Sequence, residues 1–494
     1  MIDFIAFITA PGFVPLFALI IAGVLTGYVI GVMPGFDITT GVALLLPLSY
    51  VMGQGEAIAF FSAMYCAGVF AGSITAILFR IPGTSEAVMS AVEGYPFTER
   101  GEPGFALGLA VVCSGLAGVF GTFVLMTLSP ALAKVALTFG PGDYAALGIL
   151  GCAAVVSASG ERIAPALSAL LLGLFVSTIG PDPMDGVFRF AAAPPLKDGI
   201  GLIPAIIGLF AVSDVLWRIL TDDMPRYAAS RHAQKWRYPS LTDFLKLRWT
   251  ILRGWLIGLF TGVLPGAGAT SAAFIAHSTE ARISRTPEQF GKGAPDALAA
   301  PETAKNAAAV GSLVPLLALG IPGSATAAVI LGAFQIHDLQ VGPLLFAEQK
   351  GLVNTIFFSV LLANIAFVVA SLFLMKPISK VASLPYPFIA IGIMTLSIAG
   401  SFATGGASAM YVMLGFAVIG LILKYLDIPA APVILGLVLG PIIEVYFRRG
   451  LLMTDGDISA VFASPMSIGL LLASAVMTAY PIIAKITRKL TAKH

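Results

Sequence analysis

Thr39-Thr40 and Thr270-Ser271 each stand a few residues beyond a Pro-Gly pair, Pro34-Gly35 and Pro265-Gly266, in otherwise strongly apolar sequence. A second arrangement of this kind links Pro82-Gly83-Thr84-Ser85 to Pro322-Gly323-Ser324. Proline lacks a backbone N–H and disfavours helix in the residue before it, while glycine admits conformations closed to other residues, so Pro-Gly inside an apolar segment breaks a helix. A hydroxyl just beyond the break suits the cap or first turn of a new helix, whose end carries unpaired N–H groups. Such an end attracts anions. The candidate anion-binding set is therefore Gly35, Thr39, Thr40, Pro82, Gly83, Thr84, Gly266, Gly268, Thr270, Ser271, Gly323 and Ser324. The competing reading is that these are kinks or tight turns whose small residues let helices pack closely.

The breaks recur in register. Gly27-x3-Gly31-Val32-x-Pro34-Gly35-x3-Thr39-Thr40 returns as Gly258-x3-Gly262-Val263-x-Pro265-Gly266-x3-Thr270-Ser271. Gly72-Ser73 followed by Ile81-Pro82-Gly83-Thr84 returns as Gly311-Ser312 followed by Ile321-Pro322-Gly323-Ser324. The chain reads as a duplicated unit, with a first repeat over 1–220, a basic connector over 221–249 and a second repeat over 250–494. The second half carries a net insertion between the two breaks, expected within Glu280–Lys305, where a helix is expected to begin near Pro301. Whether the halves are inverted or parallel depends on the parity of crossings between them.

These motifs sit in a chain of 494 residues that is 58% hydrophobic and only 11% charged, with a mean hydropathy of +0.94. That composition defines an all-α polytopic membrane protein, since barrel strands would alternate polar and apolar residues. Long charge-free windows hold roughly 12 crossings at about 20 residues each, and the window 381–423 holds two. The basic stretch between Trp217 and Gly254 and the tail after Lys485 belong on the cytoplasmic side by the positive-inside rule, which is preferred to nucleic-acid binding. Met1-Ile2-Asp3 lacks a basic n-region, so no cleaved signal peptide is expected. Cys66, Cys113 and Cys152 stand singly in apolar segments, as buried small residues do.

The chain resembles the large membrane subunit of the tripartite tricarboxylate transporter (TctA-like) family. The resemblance is carried by Gly31-x-x-Pro34-Gly35, Gly72-Ser73-x-Thr75-Ala76-Ile77-Leu78, Pro82-Gly83-Thr84, Glu93-Gly94-Tyr95-Pro96, Phe290-Gly291-Lys292-Gly293, Ala300-Pro301-Glu302, Asn306-Ala307-Ala308 and Leu319-Gly320-Ile321-Pro322-Gly323-Ser324. It implies a secondary transporter of the bacterial inner membrane that imports small carboxylates with an ion gradient. Such a transporter works with a periplasmic substrate-binding protein and a small membrane subunit. Ser73 and Asn306 join the candidate substrate site on this ground. Four charges depart from the family pattern: Asp37, Arg80, Glu86 and Lys305.

A charge inside a membrane is costly unless paired or hydrated, so these four are functional candidates. Arg80 either clamps a carboxylate with its planar fork, pairs with Glu86 or snorkels to the interface. Asp37 and Lys305 either pair across the repeats or lie apart in water-filled vestibules. Asp37, Glu302, Lys305 and Asp338 are the candidates for ion coupling, to sodium or protons, and His277 and His337 give little support for a proton relay. Sodium would be served by exposed carbonyls with Ser and Thr hydroxyls. No GxxxxGK[ST], HExxH or GxSxG motif occurs, which argues against a nucleotide-driven pump and a membrane-embedded enzyme; a passive anion channel stays open.

Overall fold

The computed structural model describes residues 4–33, 36–159, 162–221, 238–378 and 386–491. Leaving aside four short helices of four to six residues, its helices in chain order are α1 (Phe13–Val32), α2 (Ile38–Leu45), α3 (Gln54–Phe79), α4 (Val88–Glu99), α5 (Pro103–Ala136), α6 (Pro141–Ala158), α7 (Ile163–Val176) and α8 (Leu202–Thr221). After the connector come α9 (Arg248–Val263), α10 (Gly268–Ile283), α11 (Pro295–Gly311), α12 (Leu313–Leu319), α13 (Ala325–Ile336), α14 (Lys350–Ile378), α15 (Tyr386–Tyr425), α16 (Ala431–Met453) and α17 (Pro465–Thr491). A two-stranded antiparallel hairpin, β1 (Gly180–Pro181) with β2 (Phe188–Arg189), joins α7 to α8.

Where composition led to an expectation of about 12 crossings, eight helices among the described residues have the length and apolar character to span a bilayer, and four more apolar helices are shorter. One of the eight, α15, is divided at Gly405 and Gly406, whose backbone is not helical. This division falls within the window expected to hold two crossings. Phe260, Phe373 and Phe402 are 69%, 74% and 58% exposed, apolar surface suited to lipid or to another membrane helix.

Close backbone approach holds the centre together. Gly23, Gly27 and Gly31 on α1 face the carbonyls of Phe60, Met64 and Gly68 on α3, where an added Cβ would come within 2.4, 2.4 and 2.5 Å of oxygen. Gly254, Gly258 and Gly262 on α9 face the carbonyls of Ala300, Ala304 and Ala308 on α11 at 2.7, 2.1 and 2.4 Å. A glycine every fourth residue makes one flat helix face, and small residues are what let membrane helices touch this closely. In both places the two helices run in the same direction. By contrast α3 and α11 are antiparallel, since Cys66 meets Asn306 whereas Ser73 meets Glu302.

Two local expectations are corrected. The helix expected near Pro301 begins at Pro295, and Pro301 lies inside it. Proline fits the first helical position because its N–H would be unpaired there anyway. The pairing of Gly72-Ser73 with Gly311-Ser312 also shifts by one residue. Gly83 donates its N–H to the carbonyl of Gly72, whereas Gly323 donates to Ser312, so Gly72 and Ser312 are the equivalent positions. The left-handed ends of α3 and α12 agree with that register: Arg80 and Gly320 have φ of 59° and 75°, each closing its helix with an N–H donated four residues back.

All three cysteines are unpaired thiols, as their spacing suggested. Gly35 and connector residues 222–237 lie outside the described residues, as do the side chains of the tail beyond Lys485.

Candidate functional site

The helix breaks converge on a cavity of about 330 Å³. Its wall is built from the starts of three helices and one short turn: Thr39 and Thr40 of α2, Gly268 and Thr270 of α10, Ser324 and Thr326 around the start of α13, and Ser85-Glu86 in the 3-10 turn that precedes α4. The cap of α2 is Asp37, whose Oδ1 accepts from the Thr39 N–H at 2.9 Å, which leaves Thr39 and Thr40 in the first turn. Ser324 caps α13, its Oγ accepting from Ala327 N–H at 3.1 Å. No side chain caps α10.

Hydroxyl contacts stitch the breaks together across the two halves. Thr39 and Thr326 share a hydrogen bond of 2.8 Å, and Ser85 and Thr270 share one of 3.2 Å. Tyr65 of α3, buried, reaches Ser324 Oγ at 3.2 Å. Gly266 lines the cavity with φ of +84°, and its N–H donates to the carbonyl of Gly323 at 3.0 Å. Gly83 and Gly323 stand behind the wall, where a Cβ would lie 2.0 Å from the Gly31 oxygen and 2.5 Å from the Gly262 oxygen.

The remaining candidates lie in several separate places. Ser73, Glu302 and Lys305 form a fully buried cluster with Ser90 and Ser114, away from the cavity wall. Glu302 accepts from Ser73 at 2.6 Å, from Ser114 at 3.1 Å and from Lys305 at 3.0 Å, with Ser90 a further donor; Lys305 also donates to Ser73. Asn306, one residue on, donates to the Cys66 carbonyl at 3.3 Å. Asp37 and Lys305 therefore do not pair; Asp37 instead accepts from Ser85 Oγ at 2.7 Å. Arg80 is exposed, its guanidinium over the Tyr95 ring 5.8 Å from the centroid, while Glu86 is buried and faces the cavity. Pro82, Thr84 and Ser271 flank the breaks without lining the cavity, and Asp338 is exposed in a left-handed turn after α13.

Sequence reasoning missed Lys424, Asp214, Tyr65 and Thr326, all on the cavity wall. A signal for two of them was present: Lys424 ends the charge-free window 381–423, and Asp214 interrupts the apolar run of α8. They form an ion pair of 2.5 Å. Just before Asp214 the backbone of α8 is a π-helix from Ile207 to Val212, which places Leu209 and Phe210 on the same wall. Such segments are rare and concentrate at functional sites. His277 serves Glu93, with Nε2 2.7 Å from a carboxylate that also accepts from Gly291 N–H.

A multi-pass helical membrane protein with broken helices meeting at one polar cavity has the architecture of a transporter. Residues 17–435 match the family described as tripartite tricarboxylate transporter TctA, and the chain belongs to that family. It is a transporter membrane subunit and not an enzyme, and tripartite transport implies partner proteins. Among its relatives is an uncharacterized 52.8 kDa protein in the TAR-I ttuC' 3' region of Agrobacterium vitis, 33% identical over 91% of this chain and 89% of the relative. A protein in the TAR-II ttuC' 3' region of the same organism is 34% identical over 43% of this chain and 89% of its own length. No solved structure is significantly similar.

Proposed function

We propose that this chain imports small di- or tricarboxylates across the bacterial inner membrane, driven by a sodium or proton gradient. It receives its substrate from a periplasmic binding protein and works beside a small membrane subunit. The observation that carries the reading is the meeting of the helix starts at α2, α10 and α13 around one cavity. The start of α10, which no side chain caps, offers N–H groups that suit an anion, and hydroxyls from Thr39, Thr40, Thr270 and Ser324 supply further hydrogen bonds.

The two halves are read as inverted repeats. Contacts offset by 231 residues on the first helix and by 240 on the second recur as Gly31 against Gly68 and Gly262 against Ala308, and the antiparallel run of α3 and α11 supports the inversion. Asp37, Ser85, Glu86 and Thr270 offer clustered oxygens to a coupling cation beside the substrate. Protein reconstituted with its partners should accumulate labelled citrate or succinate under an imposed sodium or proton gradient, and an ionophore should abolish the accumulation. Equilibration without accumulation would establish a passive anion channel instead.

A further inference from the structure

The cavity wall carries three acids, Asp37, Glu86 and Asp214, and one base, Lys424. An anion entering among carboxylates is repelled, so its recognition falls to the positive groups that reach it. Helix ends supply only partial charge. The other basic candidates are elsewhere, with Lys305 fully buried against Glu302 and Arg80 exposed over Tyr95.

Lys424 has a further property that fits the task. Its Nζ rests 2.5 Å from Oδ1 of Asp214, and Asp214 holds a second cation on its other oxygen, Arg218 Nε at 3.0 Å, one turn along α8. A buried carboxylate stripped of its only partner is strongly destabilising. Asp214 would not be stripped, because Arg218 remains when Lys424 turns away. Lysine also suits a reorienting role, being a compact charge on a flexible stem, whereas arginine favours a fixed planar fork. Lys424 is 30% exposed and so has room to move.

We propose that Lys424 takes a substrate carboxylate in the cavity, with Asp214 as its resting partner and Arg218 as the cation that holds Asp214 when Lys424 leaves it. This rests on the carboxylate reading above and names the charged residue that executes it.

Uptake of labelled succinate and citrate by the full chain, reconstituted with its partner proteins, tests the assignment. Lys424→Ala and Lys424→Gln should raise KM about ten- to a hundredfold, the worth of one hydrogen bond to a charged group. Lys424→Arg should keep most of the affinity. The double variant Lys424→Gln with Asp214→Asn separates the roles, because it neutralises both members of the pair while the amide oxygen brought in at 214 can still accept from Arg218; thermal unfolding checks that it folds. If Lys424 serves only to neutralise Asp214, the double variant recovers wild-type KM; if it binds substrate, KM stays raised. Recovery in the double variant, or an unchanged KM in Lys424→Gln, would overturn the proposal. Failure of the wild-type protein to take up either acid would overturn the carboxylate reading itself, and this assignment with it.

Discussion

Thr39 and Thr326 share a 2.8 Å hydrogen bond between hydroxyls 287 residues apart in the chain. It joins the first break of the first half to the second break of the second half. Ser85 and Thr270 make the converse contact, second break to first. The two contacts are reciprocal, and all four residues line the cavity. Losing both contacts should therefore impair transport more than folding. Thr39→Val with Thr270→Val should lower the maximal uptake rate at least tenfold, with thermal unfolding shifted by only a few degrees. Normal uptake would show that these hydroxyls merely pack.

Glycine at 83 and 323 is required by backbone, not by ligand. An added Cβ would press on the Gly31 and Gly262 carbonyls, which belong to helices that cannot retreat from α3 and α11. Gly83→Ala and Gly323→Ala should each cost about 1–3 kcal/mol, the usual penalty of overpacking, read as lowered thermal stability in detergent. Gly266→Val adds strain at positive φ and a collision with Val155, and should abolish uptake.

Arg80 occupies a left-handed position where the equivalent residue is Gly320. A non-glycine residue there is disfavoured by roughly 1 kcal/mol, so Arg80→Gly should hold or raise stability. Because Arg80 lies outside the cavity wall, Arg80→Gly and Arg80→Asn should leave the preference among mono-, di- and tricarboxylates unchanged. A shifted preference in a well-folded variant would return Arg80 to the substrate path.

The buried pair of Glu302 and Lys305 should behave as a unit. Lys305→Met alone strands a fully buried carboxylate and should cost about 3–5 kcal/mol, whereas replacing both residues by apolar ones of similar volume should recover much of that loss. A double-mutant cycle read by thermal unfolding measures the coupling. Additive losses would mean the two charges do not depend on each other.

Asp182 gives a pH dependence outside the membrane-spanning helices. The Met184 N–H donated at 2.8 Å, then Arg448 and the Asp185 N–H, hold its carboxyl down at about 2. A carboxyl whose value falls on folding contributes stability that is present above its unfolded value near 4 and is lost as pH falls towards 2. Protection of the hairpin segment 180–189 from hydrogen exchange or proteolysis should therefore decline over that window. Asp182→Asn should flatten the decline, and an equally steep one in that variant would assign it to other groups.

Sequence alone determined the membrane class and the places where helices break. Composition decides whether a chain can face lipid, and Pro-Gly acts on its own backbone whatever packs against it. Family membership was legible for the same reason, since its motifs are these local devices. Tertiary structure decided which breaks share a cavity and which charges meet. Along a helix each residue turns the side chain by about 100°, so a one-residue difference in register sends neighbours to different partners. That is why Lys305 finds Ser73 of α3 instead of Asp37, and why Gly72 is matched by Ser312 instead of Gly311. Lys424, the lone charge of α15, and Asp214 are distant in the chain and became one element of the site only when α15 packed against α8.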